Sequence, residues 1–374
     1  MNSPAPVPEP SAPWPDHVAR VAAVPFRLVR PEDLPATSGG VHDALVPGLS
    51  EVLRRLARPN PGGDLAALLA RARAARAELG AVPGEPFGDD PGESAANRDN
   101  DLAFGIVRTR GPAVRLLVDA AFAALIGILD LAVDHGAGLA SGSWQRLIGG
   151  FDALFGWLAE PLRTPESWPV PFPDPPGSPQ PEDALRRWTR GHHVFMVFAQ
   201  ACTMVTGCLT DRARERDLPG AEASGAAAVA LMRGCQGALR YAGDASRDHY
   251  EEQIRPTLMP PIAPPKMSGI HWRDHEALIR GLAGSADAWT WLGEHRPDLL
   301  IGFRAALGES YDSHQGVCEH FVGDQSPSLL AAPSSSRSAV GVLAQFRRIR
   351  LQSLPTPGTS TTCPHNPGTD QATQ

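Results

Sequence analysis

The chain has few cysteines and no C-x-x-C or C-x-x-C-H pattern: Cys202, Cys208, Cys235, Cys318 and Cys363 are scattered irregularly through 374 residues. A disulfide framework is therefore not expected. No G-x-G-x-x-G, G-x-x-x-x-G-K-[ST] or G-x-S-x-G run occurs, which removes the usual nucleotide loops and the nucleophile elbow. No fixed-period repeat stands out, so solenoids and propellers are excluded. Positive charge is not in excess, and the net charge of -7 argues against a nucleic-acid partner. The amino terminus, Met1 to Pro8, lacks a basic region followed by an apolar one, so a cytoplasmic protein is expected. The longest apolar run, Val194 to Leu209, falls short of the roughly 18 to 20 residues a membrane span needs, and no membrane partner is expected. Alternating β-branched runs are missing too, which leaves room for few strands.

What is present is helical in pattern. Ala, Leu and Arg dominate, apolar residues recur at three- and four-residue spacing, and 42% apolar with 20% charged residues is ordinary for a soluble globular chain. The periodicity predicts helices over 64–79, 112–134, 141–162, 181–217, 220–254, 271–282, 285–292, 297–322 and 338–351, with Gly207 and Gly234 as points where the two longest could break. The expected class is all-α, a single large helical domain over 16–352 between a disordered Pro-rich segment, 1–15, and a disordered tail, 353–374. Pro/Gly/Asp segments near 82–100 and 164–182 interrupt it, the second holding the proline-dense loop from Trp168 to Gly177. Cys202, Cys208 and Cys235 fall in apolar helical stretches and read as small core residues.

The most informative local pattern is His314-x-x-x-Cys318, which places an imidazole and a thiol one turn apart on the same helix face. An imidazole can ligate iron axially while a thiol one turn away reaches a porphyrin edge. His320, six residues beyond His314, faces elsewhere and is the rival ligand. His271 and His275 form an i, i+4 pair at a helix start; they could hold zinc, although Trp272 stands where a zinc peptidase has its glutamate, or one could meet an iron opposite His314. His192 and His193 point about 100° apart and so cannot both face one ligand, and a core-edge pair is the simpler account. In the polar cluster from Asp244 to Arg255, Arg247 or Arg255 could pair with an amino-acid carboxylate. Ser334-Ser335-Ser336 reads as a loop that could close over a substrate.

The ordered set His275, His314, Cys318, with the histidines 39 positions apart, resembles the H-x(n)-H-x-x-x-C signature of the heme-dependent 3-methyl-L-tyrosine hydroxylases of saframycin-type tetrahydroisoquinoline antibiotic biosynthesis. Through them the chain is similar to the histidine-ligated heme aromatic oxygenases, alongside tryptophan and indoleamine dioxygenases. The resemblance implies an all-helical fold around a heme with His314 as proximal ligand, Cys318 in a single thioether link, and His275 as distal, displaceable ligand and acid-base group. It implies hydroxylation of 3-methyl-L-tyrosine to 3-hydroxy-5-methyl-L-tyrosine with hydrogen peroxide. It also favours His275 over His271 and His314 over His320. The Gly/Thr/Ser-rich substrate loop of tryptophan dioxygenase is matched here only by Ser334-Ser335-Ser336, without its glycines. A homo-oligomer, in the simplest case a dimer, is compatible with this reading. The competing class is a bis-His heme electron carrier or sensor; the length of the body, sufficient to enclose an aromatic substrate, weighs against it.

Overall fold

The computed structural model describes residues 24–356 apart from 46–47, 57–63, 89, 91–92, 163–171, 176, 178–182, 260–271 and 324–337. His271, Ser334-Ser335-Ser336, Cys363, both chain ends and much of the proline-dense loop lie outside the described residues. Three short strands, β1 (Phe26–Leu28), β2 (Glu85–Pro86) and β3 (Ile106–Arg110), accompany the helices α1 (Ser38–Ala44), α2 (Leu49–Leu56), α3 (Leu65–Leu79), α4 (Ala95–Ala103), α5 (Ala113–His135), α6 (Ser141–Ala159), α7 (Ala184–Glu215) and α8 (Leu218–Ala242). After α8 the chain makes single helical turns from Arg247 to Leu258, and then α9 (Arg273–Gly284), α10 (Ala286–His295), α11 (Pro297–Val322) and α12 (Ala339–Gln352). The all-α expectation holds, with one small sheet in the order β1-β3-β2, β1 parallel and β2 antiparallel to β3.

The composition of α8 explains its central place. Its run of Ala and Gly gives a thin cylinder, so α6, α7 and α11 can all pack against it closely. Gly234 does not break the helix; a Cβ there would come within 2.8 Å of Phe198 on α7, and one on Gly150 of α6 within 2.7 Å of the same ring. The two glycines together form the slot in which Phe198 lies, fully buried. Gly207 likewise leaves α7 intact, because a Cβ there would stand 2.7 Å from the Ala36 carbonyl. Close approach, rather than bending, is what these positions require.

Where the helices end follows from local chemistry. Arg216 takes a left-handed conformation and the Asp217 carboxylate accepts from Gly220 N at 3.1 Å, so α7 hands over to α8 within two residues. The expected helix 220–254 stops at Ala242 instead, and Ser246 Oγ caps the next turn by accepting from His249 N. Helices α1, α2 and α4 were not among the expected ones; α1 and α4 are short and mostly polar, whereas α2 carries an apolar stripe of Leu49, Val52, Leu53 and Leu56 only two turns long. α5 and α7 are long and apolar enough to cross a membrane by length and composition, but most of their surface is buried inside the protein.

His193 joins the sheet to this bundle: its ring stacks on Phe26 of β1 at 4.0 Å and its Nε2 donates to the Phe104 carbonyl at 2.7 Å. Burial pushes its pKa down to about 4. The unfolded chain therefore binds the extra proton first, and the folded state should lose up to about 3 kcal/mol as pH falls from about 6.5 to 4. His193→Gln, which keeps a donor, should have a lower Tm than wild type at pH 7 yet lose less of it across that window. Gly150→Ala should cost about 1 to 3 kcal/mol in denaturant unfolding, because the new methyl must displace Phe198.

Candidate functional site

α11 runs unbroken through His314 and Cys318, so the two side chains share a face, as their spacing predicts. Gly316 and His320 turn to the other side of the same helix and, with Val317 between the two faces, line a surface cleft of about 470 Å³ with Arg240 and Asp244. His320 Nε2 donates to the Ala245 carbonyl at 2.9 Å on that side, away from Cys318. Ser313, one residue before His314, is pinned by Arg240 Nε at 3.2 Å, which fixes the rotation of α11 on α8.

His314 has an exposed side chain, yet desolvation, followed by repulsion from His275, pushes its pKa down to about 4. An imidazole crowded by protein yet still reached by solvent meets both conditions. His192 on α7 joins the group: burial lowers its pKa to about 4, and His314 adds to the lowering. Its Nδ1 donates to the Trp188 carbonyl at 2.7 Å, which leaves the lone pair on Nε2. The structure thus gathers His192, His275 and His314 from three helices. His192 is half-buried and His193 fully buried, a pair at the edge of the core as expected, and it is His192 that senses His314. Its lone signal in the sequence was the 100° offset from His193 that lets one imidazole face inward and the other a cleft.

Aromatic rings form the wall around these imidazoles. Phe104 and Trp188 each lie 4.4 Å from the His192 ring, and Trp272 packs on Phe104 at 4.9 Å. Tyr250 stacks on Phe321 at 4.3 Å, and Trp188 meets both edge-on. Tyr250 is close enough to Cys318 to sense it: burial raises the phenol, Arg255 lowers it, and Cys318 raises it again. Trp188 Nε1 is sealed from solvent with no partner among the described residues. Cys318 is half-buried, and burial then Glu319 raise its thiol to about 11; Cys202, Cys208 and Cys235 are fully enclosed in the core. Arg255 pairs with Glu251 at 2.6 Å, and Arg247 is exposed. Among the described residues no three His, Cys, Asp or Glu side chains gather to hold a metal ion by themselves.

His275 owes its place to a buried ionic network at the start of α9. Arg108 of β3 forks onto Asp101 at 2.7 and 2.8 Å and onto Asp274 at 3.0 and 2.5 Å. Trp272 Nε1 donates to Asp101 at 2.8 Å, and Gln200 Nε2 to Asp274 at 2.7 Å. The Asn97 side chain accepts from Arg273 N, and Arg273 reaches Asp90 at 2.9 Å and Glu32 at 3.2 Å. Burial opposes charge on Arg108, but its two carboxylates outweigh that and hold its pKa well above the ordinary value, while burial pushes Asp101 up.

Three comparisons with known proteins bear on the family of the chain. A family model described as SfmD 3-methyl-L-tyrosine peroxygenase matches residues 27–299. The chain is 63% identical, over 95% of its length and 97% of the relative's, to the 3-methyl-L-tyrosine peroxygenase of Streptomyces lavendulae, a span that necessarily includes His314 and Cys318. A solved structure described as reduced SfmD, soaked with sodium hydrosulfite, superposes with a TM-score of 0.72 at 63% identity, covering 81% of this chain and all of that one. On sequence, length and fold together, the chain belongs to the SfmD family of 3-methyl-L-tyrosine peroxygenases.

Proposed function

We propose that this protein hydroxylates 3-methyl-L-tyrosine at the ring carbon ortho to the phenol. One oxygen of hydrogen peroxide enters the ring, the other leaves as water, and the product is 3-hydroxy-5-methyl-L-tyrosine. The observation that carries the reading is His314 with Cys318 a turn away on α11 and His275 of α9 near enough to add to the lowering of the His314 pKa, in a family of peroxygenases.

The residues fit a heme. A porphyrin is flat and largely apolar, and the wall of Trp188, Phe104, Trp272, Tyr250 and Phe321 offers ring faces and edges with few charges. His314 would hold the iron from α11 and Cys318 would form a thioether to a vinyl group, while His275 would be the second, displaceable axial ligand. The unpartnered Trp188 N–H is a donor available to a bound ligand. Heme bound there would supply the iron that activates peroxide.

The chain's own part is to orient and to move protons. The Nε2 lone pair of His192 suits acceptance of the phenol proton, and its Nδ1 bond to Trp188 keeps that tautomer in place. The aromatic wall excludes water from the reacting ring. Of the two arginines, Arg255 is the better partner for the amino-acid carboxylate, since its charge reaches Tyr250 beside Cys318. The main apolar core draws residues from Phe26 to Leu354, two positions past the expected end at 352, and a smaller cluster of Ala184, Tyr250, Ile254 and Phe321 lies apart from it; the long reach of the main core supports reading the body as a single catalytic unit.

Purified holoprotein given 3-methyl-L-tyrosine and hydrogen peroxide should yield a product heavier by one oxygen in mass spectrometry; an electron carrier would return the substrate unchanged. The pyridine hemochrome of wild type should show a band between the b and c positions, moved to the b position in Cys318→Ala. His192→Phe should retain heme and its spectrum yet lose about 100-fold or more in product formation rate, the range of a general base.

A further inference from the structure

We infer that the Arg108–Asp101–Asp274 network is a positioning device for His275, which sets how firmly that imidazole is presented toward His314. The inference rests on the heme reading above. Asp274 is fully buried and immediately precedes His275, so both lie in the first turn of α9. A first helical turn has donors without partners and ordinarily frays. This one is held at three successive residues: Trp272 by Asp101, Arg273 by Asn97, and Asp274 by Arg108 and Gln200. The holding groups come from β3, α4 and α7, so the turn is fixed against three elements at once.

Stability alone does not account for such a device. One guanidinium between two carboxylates leaves a net negative charge, and buried ion pairs of this kind are often matched or bettered by apolar packing of similar volume. What the arrangement provides is direction: a doubly forked guanidinium tolerates little translation or rotation of either carboxylate. Gln200 makes the same point, because its amide donates to Asp274 and to the Val29 carbonyl while its own Oε1 is sealed with no partner among the described residues. An unsatisfied acceptor beside the turn is a cost, and the Asp274 contact is what it accompanies. The network is thus a rigid seat for the first turn, with the imidazole carried on the next residue.

The test compares purified holoproteins of wild type, Asp274→Asn, Gln200→Leu, His275→Ala and Asp274→Asn/His275→Ala by ferric absorption and electron paramagnetic resonance, with cyanide titration. Loosening the seat should raise the high-spin fraction and tighten cyanide binding by about five-fold or more in Asp274→Asn, and in the same direction but less in Gln200→Leu. Asp274→Asn should add nothing once His275 is alanine, because no imidazole is then left to position. The inference is overturned if both single variants keep the wild-type spectrum and cyanide affinity whatever their melting temperatures, or if Asp274→Asn has the same effect with and without His275. Should Asp274→Asn not fold, Gln200→Leu decides, since it removes an unpartnered oxygen along with the contact. A wild type that binds no heme sinks the earlier reading and this one together, whereas a pigmented wild type with unresponsive variants sinks only this one.

Discussion

The structure depends on a thin helix. Because α8 is built from alanine and glycine, α6, α7 and α11 approach it closely enough to share one dense core, and the rotation of α11 on it is locked by Arg240 and Ser313. If α8 carried larger side chains, α11 would be pushed outward and the face bearing His314 and Cys318 would move away from α7 and α9. The slot that Gly150 and Gly234 leave for Phe198 shows how little slack exists. The chemistry at the cleft is therefore set by packing on the far side of the helices that border it.

Two kinds of constraint meet there. Apolar packing sets the coarse arrangement of α7, α8 and α11, tolerating small shifts because dispersion and burial are not directional. The small sheet and α9 share that packing and are tied to the bundle by directional contacts as well, through the Arg108 fork and through His193 between Phe26 and Phe104. A site of the proposed kind, holding a flat ligand between imidazoles from separate helices, would need both, since depth comes from the bundle and aim from the polar ties.

Much of this was legible in the sequence wherever the information is local. The expected helix 297–322 matches α11 residue for residue, and 338–351 matches α12 within one residue at each end, because apolar periodicity and capping residues are properties of adjacent positions. The pairing of His314 with Cys318 was readable for the same reason. The helix expected to run on to 254 stopped early because Gly243, Asp244 and Ser246 favour a turn that periodicity does not weigh. Long-range partners left no trace: nothing near Arg108 announces Asp274, and nothing near His192 announces His314. The choice of His275 came only from the family resemblance.

The uneven burial of the thiols has a consequence for where the folded chain can react. Cys202, Cys208 and Cys235 are locked in the interior, and desolvation leaves them as unreactive neutral thiols; Cys318 alone among the described cysteines borders open space. An unsaturated electrophile entering the folded chain would find a single address among them, already oriented by the turn that separates it from an imidazole. Selectivity of covalent attachment would then be a property of the fold itself, with competing sites withdrawn from reach before the reaction partner arrives.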